Sequence, residues 1–197
     1  MRRLLSLLLL IVGTSFTLTA TPADRATISP PSLSFTWNDV DPGVRKYLIL
    51  MMANTLSIQS QYIQTTPTPQ QQFDIMEQVI ERTPTDSLRG DYLTYVMEAN
   101  KINHRMIAIF RKEKPTSARA VINIRKRFDR EITALNKKYP EASRYFTPEA
   151  QARLSLMLAD ETGLRRVMEQ ARKSGKSPQE MLRTAEEHLR HEAERQQ

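Results

Sequence analysis

The chain contains no cysteine. That excludes a disulfide scaffold, a thiolate zinc site, a cysteine nucleophile and a lipid-modified N-terminal cysteine. Glycine is nearly as scarce: there are five, at 13, 43, 90, 163 and 175, and no two lie close together. A glycine-rich phosphate cradle needs several within a few residues, so none is present. Histidine occurs only at 104, 188 and 191. Aromatic residues make up 7% of the chain, and none forms a sugar-stacking platform beside a carboxylate pair. What is there is a chain of 197 residues, 40% hydrophobic and 26% charged. That supplies one globular core of ordinary size and excludes a disordered, collagen-like or mucin-like chain.

The N-terminus reads as an address. Arg2 and Arg3 are followed by the apolar run Leu4 to Val12 and by a small, hydroxylated stretch ending at Ala20. This is the three-part pattern of a secretory signal peptide, residues 1–20. The alternative is an uncleaved anchor in the inner membrane, since Leu4 to Ala20 is 17 residues, the short end of what spans a bilayer. No second long apolar run follows, so the remainder is expected to fold in water. No Asn-x-Ser/Thr acceptor occurs, which fits a bacterial envelope. The expected location is periplasmic or secreted.

Residues 21–36 are rich in Pro, Ser and Thr and read as an extended leader. Residues 37–197 are expected to form a single helical domain. Four helix starts share one pattern, a polar residue before proline: Asp41-Pro42, Thr68-Pro69, Thr147-Pro148 and Ser177-Pro178. The polar side chain can accept from a free amide of the first turn, and proline suits the first helical position. Apolar periodicity places helices at about 42–64, 69–82, 86–113, 116–138, 148–159, 161–173 and 178–194. The first is apolar over a wide arc and is expected to be central. The third and fourth are separated only by Lys114-Pro115, which predicts a long antiparallel hairpin over about 86–138. No segment alternates as a strand would. The fold class is therefore an all-α bundle of about six to seven helices.

Catalytic signals are weak. His188 and His191 sit three apart, a spacing that puts both imidazoles on one helix face, and are the only metal candidates. The zinc-protease pattern fails because position 195 is Arg. His104 borders an apolar stripe. Asp39 and Asp41, and Asp160 and Glu161, stand where helix caps belong. No metal, cofactor or catalytic residue is assigned.

Charge carries the stronger signal. The chain is formally +7, but residues 101–145 hold 13 basic and 4 acidic residues, whereas residues 21–100 hold 5 and 9. Within the basic stretch Arg119, Lys126, Arg130 and Lys137 recur at spacings of 7, 4 and 7, one face of a continuous helix. Arg125 is the exception, because it falls on the apolar seam between Val121 and Phe128. It is expected to snorkel or to pair with a carboxylate of the N-terminal half. Export argues against nucleic acid, and the aromatics are not interleaved with the cations. An envelope protein, a client polypeptide or an anionic lipid surface is the expected partner. The sequence thus points to an exported, non-catalytic adaptor or chaperone-like module. Two alternatives are a metal-assisted envelope hydrolase and a membrane-anchored structural subunit.

Overall fold

A computed structural model describes residues 35–62 and 67–196. The signal segment and nearly all of the leader lie outside the described residues. Within them the protein is all-helical: a 3-10 turn at Trp37–Asp39, nine helices and no strand. The helices are α1 (Pro42–Gln59), α2 (Pro69–Arg82) and α3 (Gly90–Glu113), then α4 (Ala118–Lys126), α5 (Asp129–Lys138) and the single turn α6 (Pro140–Ser143). The last three are α7 (Pro148–Glu161), α8 (Leu164–Lys173) and α9 (Pro178–Arg195). No described helix is long and apolar enough to cross a membrane.

The four polar-proline starts open α1, α2, α7 and α9. Asp41, Thr68, Thr147 and Ser177 each accept a hydrogen bond from a first-turn amide, with proline following. In α2 and α9 the bond is reciprocal, because Gln71 and Glu180 accept from the amides of Thr68 and Ser177.

Other boundaries differ from the sequence reading. The single helix expected at 116–138 is two helices. The amides of Arg127 and Phe128 reach back three residues, to Ile124 (3.1 Å) and Arg125 (2.9 Å), and this tightened turn ends α4. The third helix begins at Gly90 rather than 86, because Leu88 closes a turn on Thr85 and Arg89 is extended. Tyr139 leaves the helical region (φ −128°, ψ 67°) because Pro140 follows it, and the chain then adds α6. The corner between α7 and α8 falls at Thr162-Gly163, where Gly163 takes a left-handed conformation (φ 70°) open to few other residues. Nine helices therefore replace the six to seven expected.

α3 and the α4–α5 pair run antiparallel. Tyr95 and Glu98 meet Asn136 and Lys138, Arg105 meets Glu131 and Glu113 meets Arg127, so the start of α3 lies by the end of α5 and its end by the start of the pair's second helix. Lys114, left-handed at φ 44°, turns the chain between them.

α1 is the central helix. Val44, Leu48, Ile49, Ala53, Thr55 and Leu56 are all buried, so its sides are covered over a wide arc. α9 lies along it more extensively than any other pair of described helices, and α2 covers another side. Buried Asn54 joins all three helices. Its amide donates to the Arg82 carbonyl (2.9 Å) and to Thr83 Oγ1 (3.1 Å), and its Oδ1 accepts from Arg190 of α9 (2.9 Å). One apolar core runs from Phe35 to Ala193.

Candidate functional site

The basic stretch divides into paired and unpaired cations. Arg105, Arg111, Arg127, Lys138 and Arg144 each have a carboxylate partner: Glu131, Asp74 with Glu77, Glu113, Glu98 and Glu141 respectively. Arg119, Lys126, Arg130 and Lys137 are exposed and have no ion pair among the described residues. Lys112 and Lys114, at the hairpin turn, are exposed and unpaired too. Because α4 and α5 are separate helices, the spacing argument holds within each. Arg119 and Lys126 share a face of α4, and Arg130 and Lys137 share a face of α5, each pair two turns apart.

Arg125 behaves differently, as its seam position suggested. It makes no ion pair among the described residues. Its guanidinium lies 5.5 Å above the centre of the Phe73 ring, which itself stacks on Phe110. Its Nε is buried without a hydrogen-bond partner among the described residues. Burial pulls its pKa below the usual arginine value, because the charged form loses hydration without gaining a partner.

Arg125 also lines a cavity of about 210 Å³ that is partly open to solvent. α1 contributes Tyr47 and Met51 to the wall, and α2 contributes Met76 and Val79. Val96, Asn100, Asn103 and Met106 come from α3, and Asp129, Ile132 and Leu135 from α5. Tyr95, Phe146 and Gln151 complete the wall. The lining is mainly apolar, with three methionines that can adapt to a ligand's shape. Burial pushes the Tyr47 hydroxyl up to about 12, with Asn100 partly opposing the shift. Burial likewise takes Tyr95, whose hydroxyl donates to Asn136 Oδ1 (2.9 Å), up to about 12. Both phenols are neutral at ordinary pH and act as hydrogen-bonding groups, not as bases.

The two metal candidates have separate roles. His188 donates from Nε2 to the Thr162 carbonyl (2.6 Å), tying α9 to the corner between α7 and α8. His191 is exposed, with Nδ1 at 3.4 Å from Glu194. No group of three or more His, Asp or Glu residues that could hold a metal occurs among the described residues. Asp39 and Asp41 lie at helix starts, whereas Asp160 and Glu161 form the last turn of α7 and Gly163 takes the cap position of α8 in their place. Asp39 accepts from the Thr36 amide (2.7 Å) and hydroxyl (2.8 Å), which holds its pKa below the carboxylate range. Asp41 caps α1, and Asp160 pairs with Arg165 (2.6 Å).

The sequence picked out the four unpaired cations and singled out Arg125. It did not identify the cavity, because the wall is assembled from helices α1 to α5, Phe146 and α7, and no local pattern reports how they meet. The three cavity methionines were the one available signal. Comparison with protein-family models, with curated proteins and with solved structures finds no match to the chain.

Proposed function

We propose that the protein is an exported, non-catalytic binding module of the bacterial envelope. It holds an acidic polypeptide against Arg119, Lys126, Arg130 and Lys137. One observation carries the reading: these four cations are exposed and lack carboxylate partners among the described residues, while five neighbours in the same stretch are tied to acids. A cation already paired with its own chain offers little to a partner, whereas an unpaired one steers and holds an acidic surface. A polypeptide is favoured over a lipid surface because membrane binding of this kind also draws on apolar side chains that enter the bilayer. The exposed large hydrophobics among the described residues are Met97 and Leu156, and neither belongs to α4 or α5.

The test is in-cell crosslinking of wild type and of a variant carrying Arg119→Glu, Lys126→Glu, Arg130→Glu and Lys137→Glu. The expected result is loss of the crosslinked polypeptide with an unchanged melting temperature. One stoichiometric partner would mark an adaptor, and a spread of acidic exported proteins a client binder. Crosslinks that survive the reversal overturn the reading. So does capture by anionic vesicles in place of any polypeptide. Sequencing the mature N-terminus tests export separately: a start near Thr21 is expected.

A further inference from the structure

Arg125 presents an energetic problem that the fold does not solve. A guanidinium removed from water loses hydration, and the usual compensation is a carboxylate or a full set of hydrogen bonds. Arg125 is only partly exposed and has no carboxylate partner among the described residues: its Nε is buried and unpartnered, and its guanidinium lies over the Phe73 face. A cation–π contact at this distance is a modest compensation. An apolar residue at this seam position would continue the Val121 and Phe128 stripe at less expense. The buried Nε therefore gives up hydration without a replacement bond, and an anion arriving beside it would supply one.

The space beside it has a defined size and character. A dry cavity of roughly 150 Å³ accepts benzene, so 210 Å³ takes about eight non-hydrogen atoms by the same ratio. Its wall combines Met51, Met76, Met106, Val79 and Ile132 with the amides of Asn100 and Asn103. This pattern of a mostly apolar pocket with few polar groups is that of a small-ligand site. The other charged residue of the wall, Asp129, makes no ion pair with Arg125. With one cation and one anion in the wall, a ligand carrying a single negative charge is accommodated and a dianion is penalised.

We infer that this cavity binds a small apolar monocarboxylate, its carboxylate on Arg125 and its hydrocarbon body among Met51, Met76 and Met106. The site is distinct from the exposed cations of α4 and α5, because Arg125 lines the cavity and is only partly exposed whereas they are fully on the surface. Hexanoate has about the number of atoms the cavity accepts. Octanoate extends two carbons further, toward the open side.

Calorimetric titration of the purified chain with hexanoate, octanoate and neutral 1-octanol tests the assignment. Saturable one-site binding of at least one acid is expected, with octanol weaker. Arg125→Met and Arg125→Gln should each weaken the acid by at least roughly tenfold, the loss expected for a charge-assisted pair. Asp129→Asn should tighten it by a few fold. The melting temperature of Arg125→Met should equal or exceed that of wild type, since an unpaired charge has been removed. This separates loss of the ligand from loss of the fold. No saturable binding of either acid at about millimolar concentration overturns the proposal. Equal affinity in wild type and both Arg125 variants, or octanol binding as tightly as octanoate, does so too.

Discussion

At Gly43 a single hydrogen atom decides how two segments meet. The residue lies in the first turn of α1, and a Cβ there would overlap the backbone carbonyl oxygen of Ser87. Helix propensity alone expects Gly43→Ala to gain up to about 1 kcal/mol. Packing expects the opposite, because a backbone oxygen cannot rotate away as a side chain can. We predict a net loss of about 2–3 kcal/mol, measured by urea denaturation. A variant as stable as wild type would contradict the close approach. Nothing around Gly43 in the sequence announces this, since the clash partner is 44 positions away. Arg125 is the contrasting case: its misfit with its own seam was legible, because the conflict lies within one helix. What the conflict was for could not be read, because Phe73 and Met76 come from another helix.

At the scale of elements, helix starts were legible and helix interruptions were not. A cap and its proline are neighbours in the chain, so Asp41, Thr68, Thr147 and Ser177 carry their information locally. The break between α4 and α5 has no glycine or proline to mark it, and the apolar seam continues through Phe128. Tertiary packing sets it. The same holds for the clamp at Asn54, a polar residue in the most apolar helix that binds the end of α2 and the side chain of Arg190. Asn54→Ala should cost about 1–2 kcal/mol, because it leaves the Arg82 carbonyl without its amide donor and removes one bond from Arg190, which keeps Glu186. Thermal melting checks this. The loss should shrink when Arg190→Ala is already present, since the two residues share one bond. Additive losses would show that Arg190 and Asn54 act separately.

At the scale of the molecule, the pH dependence of stability follows from which groups are buried. Tyr47 and Tyr95 are raised from 10.0 to about 12 by burial, so the folded state holds their protons more tightly than the unfolded chain. Their contribution is complete below pH 10 and is lost as pH rises toward 12. Asp39, Glu169 and Glu180 are lowered instead, by Thr36, Arg172 and Ser177 respectively, so their contribution exists above the ordinary carboxylate range and fades in acid. Asp39 and Glu180 are exposed and Glu169 is half-buried at the surface, so the acid limb should be shallow. Melting temperature should therefore fall steeply on the alkaline side, and Tyr95→Phe should flatten that fall. An unchanged alkaline slope in the variant would show that Tyr95 is not held neutral.

Because α9 is the most extensive neighbour of α1, and Arg190 completes the hydrogen bonding of Asn54, the first and last helices are partners. Contacts between segments far apart in a chain are slow to form, and these cannot form before α9 has been made. Domains that close locally start folding while they are still being made. Here α1 emerges early and waits for its covering helix throughout synthesis. The apolar face of α1 is thus open to whatever handles the nascent chain. Completion of α9, more than the speed of any helix, sets the moment at which the core shuts.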